Sequence, residues 1–168
     1  MIRLNTPLLK KDIKNLRIGD KVEISGYIFC GRDAVLPKLA DLDKETLWKQ
    51  YKINLEGSVI FHTAVSPAGI GPTSSNKLEI ESSMGTLSKA GVKLHLGKGM
   101  INRQTVELLD KYCSVFAVVP PVTALFKSNT LEQNVVAFEE EGMEALHLLK
   151  VENIPAIIAA VNGKSIYF

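Results

Sequence analysis

Cysteine is nearly missing from this 168-residue chain, which has only Cys30 and Cys113. Two thiols can neither complete a tetrahedral structural zinc site nor supply the three or four thiolates of an iron–sulfur cluster. Any such cofactor has to be held elsewhere, and both residues read as small buried apolar side chains, reduced and without a disulfide. An excess of charge of one sign is also missing. Twenty Lys and Arg stand against 18 Asp and Glu, and a net charge of +2 is too small for a surface that grips phosphate backbones, so nucleic acid is not expected as a partner. Apolar runs are short: residues 154–161, broken by Pro155, fall far below the roughly 20 residues a spanning helix needs. No membrane partner is expected. Near the amino terminus Asn5, Thr6 and Pro7 interrupt the apolar residues before a signal-peptide core can form, which points to a cytoplasmic protein. There is no P-loop, Gly-x-Ser-x-Gly elbow or Rossmann fingerprint. His62, His95 and His147 lack metal-ligand spacing, so no metal ligands are expected and each reads as structural or surface.

What remains is ordinary globular usage, 46% hydrophobic and 23% charged, at a length that suits one domain over residues 1–168. Apolar periodicity predicts a mixed α/β chain. Lys10 to Leu16 reads as a short helix and Lys21 to Phe29 as a strand that delivers Gly31-Arg32-Asp33. A helix follows with Leu36, Leu39 and Leu42 on one face and Asp33 as its N-cap, then a second around Lys44 to Tyr51. Ser58 to Phe61 is a strand, and Ser66 to Ser75 an irregular loop with Ser75 or Asn76 capping a helix over Leu78 to Ala90. Val92 to Leu96, Gly97-Lys98-Gly99, an Asn102-capped helix and Ser114 to Val119 form a βαβ unit, which requires some parallel sheet. Strands over Asn134 to Phe138, Ala145 to Val151, Ala156 to Val161 and Ser165 to Phe168, with a hairpin turn at Asn162-Gly163, favour a second, antiparallel layer. Glu139 to Glu141 read as a solvated turn.

Three loops place a cation or hydroxyl at a strand end, where open α/β sheets bind ligands: Gly31-Arg32-Asp33, Gly71-Pro72-Thr73-Ser74-Ser75 and Gly97-Lys98-Gly99. Glycines on both sides of Lys98 allow close backbone approach, and the helix that follows offers unpaired N–H groups to an anion. Arg32 carries a planar fork suited to a carboxylate and Lys98 a compact charge, a pair that suits a small dicarboxylate. Taken singly, each loop could equally be a solvated turn, a surface ion pair or a helix lead-in.

Taken together and in order, these loops change the reading. With Ile24-Ser25-Gly26 ahead of Gly31-Arg32-Asp33-Ala34, and with Gly142-Met143-Glu144-Ala145 and Val151-Glu152-Asn153-Ile154-Pro155-Ala156 behind Gly97-Lys98-Gly99, the chain resembles the β subunit, or carboxy-terminal domain, of class I iron–sulfur fumarases and L-tartrate dehydratases. The resemblance covers nearly the whole chain. It implies a swivelling β/β/α domain with one mostly parallel and one antiparallel sheet layer plus helices. It implies a hydro-lyase subunit that interconverts fumarate and L-malate, inactive without an α subunit whose cysteines hold a [4Fe–4S] cluster. L-tartrate or a related hydroxy acid is the alternative substrate, and a non-catalytic binding or assembly module the alternative role. Arg32 and Lys98 would clamp carboxylates, with Lys77 and the backbone of Gly97 and Gly99 assisting, and Thr73 would supply the hydroxyl for proton transfer at carbon. Departures accompany the likeness. The family's histidine after Arg-Asp-Ala-Ala is absent where this chain reads Ala34-Val35-Leu36-Pro37, Lys77 replaces an arginine, and Pro120-Pro121 replaces a glycine pair.

Overall fold

The computed structural model describes residues 1–66, 69–73, 77–120 and 128–168, apart from the side chains of 69–73 and 77–80. In chain order its elements are β1 (Ile2–Asn5), α1 (Lys10–Lys14), β2 (Lys21–Gly31), α2 (Leu36–Asp41), α3 (Lys44–Thr46) continued by a π turn (Leu47–Tyr51), β3 (Val59–Ser66), β4 (Gly69–Thr73) and α4 (Lys77–Lys89). Then come β5 (Leu94–Gly97), α5 (Arg103–Lys111), β6 (Val115–Val118), β7 (Thr130–Ala137), a 3-10 turn (Glu139–Glu144), β8 (Leu146–Val161) and β9 (Lys164–Ser165).

β1, β2, β3, β5 and β6 run parallel side by side, so the mixed α/β expectation holds. The antiparallel strands are hydrogen-bonded into the same sheet as the parallel ones. β8 pairs antiparallel with both β2 and β6, which closes β2, β3, β5, β6 and β8 into a ring, while β7 and β9 extend the same sheet. Closure hides edges that would otherwise present unpaired N–H and C=O groups. Alternation then puts Val22, Ile24, Ile28, Cys30, Val59, Phe61, Leu94, Leu96, Val115 and Ala117 in one buried cluster inside the ring. Their strand neighbours face outward under the helices. Phe29 and Ile60 pack with Val35, Leu36, Leu39 and Leu87, and Phe116 packs with Met84, Val106 and Leu109.

Several boundaries differ from the periodic reading. The strands expected over residues 145–151 and 156–161 are parts of one 16-residue strand, Leu146–Val161, because a bulge rather than a turn separates them. Asn153 there takes a left-handed φ of 55°, and its backbone N–H donates to Ser25 Oγ at 2.9 Å. The segment read as a loop from Ser66 contains β4, whose backbone pairs with β3 at Thr63↔Thr73. Leu36 and Val35 donate backbone N–H groups to Arg32 O, so α2 begins at Leu36, with Val35 rather than Asp33 at its cap and Pro37 in its first turn. Glu140 and Glu141 are not simply solvated, since Lys38 Nζ lies 2.7 Å from Glu141 Oε1. Ser165 to Phe168 yields only the two-residue β9. The Asn162-Gly163 turn is as expected, both residues having positive φ. No helix among the described residues is long and apolar enough to cross a membrane.

The two cysteines part company. Cys30 is sealed in the ring, and burial pushes its thiol well above the usual range, whereas Cys113 is only half buried, beside the start of β6. A thiol-specific reagent at pH 8 is expected to modify one cysteine in the folded chain, identified by peptide mapping as Cys113. Modification of Cys30 is expected only at denaturant concentrations that unfold the protein, and rapid native labelling of Cys30 would contradict this packing.

Candidate functional site

The parallel register draws the predicted loops to one end of the sheet. Gly31 of β2 pairs with His62 of β3, and Phe61 pairs with Leu96, so Gly31, His62 and Gly97 lie in one row across three neighbouring strands. With strands about 4.8 Å apart, Arg32 and Lys98 are rooted about 10 Å from each other on either side of His62. β4 brings the backbone of Thr73 beside Thr63, the next residue on the middle strand, and α4 begins at Lys77. Thus the backbone of Arg32, Thr73 and Lys98 converges on the carboxyl ends of β2, β3 and β5. The side chains of Thr73 and Lys77, and all of Ser74, Ser75, Asn76 and Pro121, lie outside the described residues.

Arg32 Nη2 lies 2.7 Å from Glu144 Oε1 at the end of the 3-10 turn, both side chains being about one-third exposed. Lys98 is exposed and has no ion pair with another described residue. Its loop is fixed on either side. Val119 N–H donates to Gly97 O at 3.1 Å, and the Gly99 φ of 76° makes the turn. Beyond the turn, Asn102 N–H donates to Glu81 Oε1 of α4, and Asn102 Oδ1 caps α5 by accepting from Thr105 N–H at 2.8 Å. From the far side Gln133 of β7 donates to Ser66 O at 2.9 Å, tying the edge strand to the tip of β3.

Beneath this row lies a polar chain. His62 and His95 are fully buried on the outward face of β3 and β5, with His62 Nε2 3.0 Å from His95 Nδ1, and Ser88 Oγ of α4 is 2.9 Å from His95 Nε2. Burial pushes the His62 imidazole down to about 3 and holds His95 well below its usual value, so both rings are neutral at physiological pH. No three His, Cys, Asp or Glu among the described residues cluster in a way that could hold a metal. A separate cavity of about 440 Å³, lined in part by Lys10, Lys14, Asp110 and Cys113, holds none of the predicted site residues.

Comparison with known proteins agrees with this arrangement of loops. The family model described as fumarase C-terminus matches residues 1–168. The chain belongs to that family. It is 29% identical to a Methanocaldococcus jannaschii protein provisionally named L(+)-tartrate dehydratase subunit beta, over 95% of this chain and 88% of that one. It is 25% identical to the L(+)-tartrate dehydratase subunit beta of Escherichia coli K12, over 95% and 82% of the two chains. A Geobacillus stearothermophilus protein provisionally named fumarate hydratase class I is 26% identical over 94% of this chain but only 32% of its own length.

In this member of the fumarase C-terminus family, two features escaped the linear pattern. Glu144 lies in the Gly142-Met143-Glu144-Ala145 motif, yet nothing in its spacing links it to Arg32, 112 residues earlier. His62 and His95 are 33 residues apart and meet only through the β3 and β5 pairing. The buried pair has a measurable consequence. Below the unfolded value of 6.5, the unfolded chain binds protons that the folded chain refuses, so stability is full above pH 6.5 and falls as pH drops toward about 3. Each histidine contributes a slope of up to about 1.4 kcal/mol per pH unit. Urea unfolding between pH 7.5 and 4.5 is expected to show this loss, with a visibly shallower slope in His62→Gln. An unchanged slope in that variant would contradict neutral burial of His62.

Proposed function

We propose that this chain is the β subunit of a hydro-lyase, contributing the carboxylate-gripping part of a site completed by a separate α subunit. The observation that carries the reading is the single strand-end row that roots Arg32 and Lys98 on either side of β3, with the Thr73 backbone beside it. Family membership and relatives named as β subunits of tartrate dehydratase support it. In this role Arg32, oriented by Glu144, holds one substrate carboxylate. Lys98 supplies the second charge, with Lys77 and the backbone of Gly97 and Gly99 beside it. Cations fixed before the reaction stabilise the enediolate-like charge that develops when a proton leaves carbon, and Thr73 supplies the hydroxyl for that transfer. The 168 residues act as one swivelling β/β/α domain whose closed sheet is the rigid base for these loops.

The [4Fe–4S] cluster that the resemblance implies does not suit the thiols of this chain. Cys30 is enclosed among apolar side chains, and Cys113 precedes β6 at the other end of the sheet from Lys98. The cluster is therefore assigned to cysteines of the α subunit. Fumarate and L-malate are the first substrate pair. L-tartrate is the second reading, supported by the two relatives with that name that this chain matches over most of their length.

Co-expression with a cluster-bearing α subunit and anaerobic assay on fumarate, L-malate and L-tartrate test the reading. The complex is expected to turn over at least one of them. Arg32→Ala and Lys98→Ala complexes are each expected to lose about 3 kcal/mol of transition-state stabilisation, about 150-fold in kcat/KM, with unchanged circular dichroism. Undiminished activity in both variants would remove the residue assignments. Absence of turnover beside an intact cluster would leave the binding or assembly role.

A further inference from the structure

The buried Ser88, His95 and His62 chain has a direction that its hydrogen-bond inventory fixes. Ser88 is 2% exposed, and among the described residues His95 Nε2 is the one group within hydrogen-bond reach of its hydroxyl. If His95 Nε2 carried the proton, the Ser88 O–H would have no acceptor, and His62 Nδ1 would be left as a bare lone pair. The opposite assignment satisfies Ser88, which donates its O–H to His95 Nε2. His95, neutral, then carries its proton on Nδ1 and donates it to His62 Nε2 across 3.0 Å. His62, also neutral, must carry its own proton on Nδ1. That atom is buried and has no hydrogen-bond partner among the described residues. A buried N–H donor without an acceptor costs stability, which an arriving acceptor recovers.

Placement says which acceptor. Ile60 pairs with His95, so His62 lies two residues closer to the carboxyl end of the sheet, and the chain climbs from Ser88 near the end of α4 toward the row of Gly31 and Gly97. The residues after those glycines are Arg32 and Lys98, both cationic. A donor between two cations suits a carboxylate oxygen. Resting on the hydro-lyase reading above, we propose that His62 Nδ1–H is a preset hydrogen-bond donor to a carboxylate oxygen of the diacid bound in the assembled enzyme, held in that tautomer by His95 and Ser88. His62 is then a binding residue, and His95 and Ser88 are positioning residues that act through it.

The tautomer is read directly on the chain labelled with ¹⁵N-histidine. Long-range ¹H–¹⁵N correlation at pH 7 is expected to show protonated Nδ1 and unprotonated Nε2 on both His62 and His95, and a proton on His62 Nε2 would overturn the proposal. In the reconstituted complex, His62→Gln keeps an acceptor for His95 but loses the donor at the Nδ1 position. Its KM for the diacid is expected to rise about 10- to 100-fold while kcat changes less than about threefold. His62→Asn keeps a donor at that position and is expected to stay within about threefold of the parent KM. Equal KM in His62→Gln and the parent, or equal losses in both variants, would overturn the role. If the parent complex turns over no diacid, the hydro-lyase reading fails on its own account. The donor is then judged by the His62 Nδ1–H resonance in that complex, where a shift on adding L-tartrate supports it and its absence overturns it.

Discussion

Everything at the candidate site depends on β8 pairing with two strands at once. Residues 147–157 run antiparallel to β2, and residues 157–160 pair with β6, so one long strand joins the first and last members of the parallel set. Without that double contact β2 and β6 would be ordinary edges, and the apolar cluster between them would open to water. The bulge at Asn153 lies within the β2 ladder, where its left-handed turn and the Ser25 hydrogen bond absorb the shift in register between Ile24 and Gly26. A closed ring has no slack in register. Once β8 is seated, the ends of β2, β3 and β5 cannot slide past one another, and the loops they carry keep fixed separations.

That rigidity is what holds three weak motifs together at one end of the sheet. A turn such as Gly97-Lys98-Gly99 specifies nothing alone, yet anchored by Val119 on one side and by Asn102 and Glu81 on the other it roots its lysine at a fixed place. Arg32 is fixed likewise from behind, since its carbonyl accepts from the first residues of α2 and its guanidinium meets Glu144. Both charges stay at the rim, where they cost little desolvation. The interior beneath them is filled by neutral imidazoles, which can be buried in hydrogen-bonded form as ionised groups could not.

Much of this was legible in the sequence, for identifiable reasons. The helix α4 and the Asn102-capped α5 appear within a residue or two of their expected bounds. The loops were found because glycine, proline and charge punctuate strand ends. What stayed hidden was long-range pairing. The pattern gave two strands where β8 is one, because Glu152-Asn153 and Pro155 look like punctuation until Ser25 and Asn129 are seen to satisfy the bulge. β4 was hidden in a Gly, Pro and Ser-rich segment whose strand character comes from pairing with β3 rather than from its own residues. The short β1 was missed for the same reason, being held by β2. Glu144 and the histidine pair were visible as residues but not as contacts, since each partner lies on another element.

The Arg32 and Glu144 contact bears on whether the row can take a substrate at all. A carboxylate already 2.7 Å from the guanidinium looks at first like an occupant of the site. The energetics argue otherwise. Both side chains are about one-third exposed, and an ion pair of that kind contributes at most about 1 kcal/mol. The Glu144 contact engages one terminal nitrogen of a guanidinium that carries five N–H donors. Glu144 therefore orients the fork through a contact that a substrate carboxylate can outcompete. A diacid that engages Arg32 and Lys98 together gains from both cations what a single tethered glutamate gains from one. That difference, rather than the charge of either residue alone, is what would let the row distinguish a dicarboxylate from a monocarboxylate.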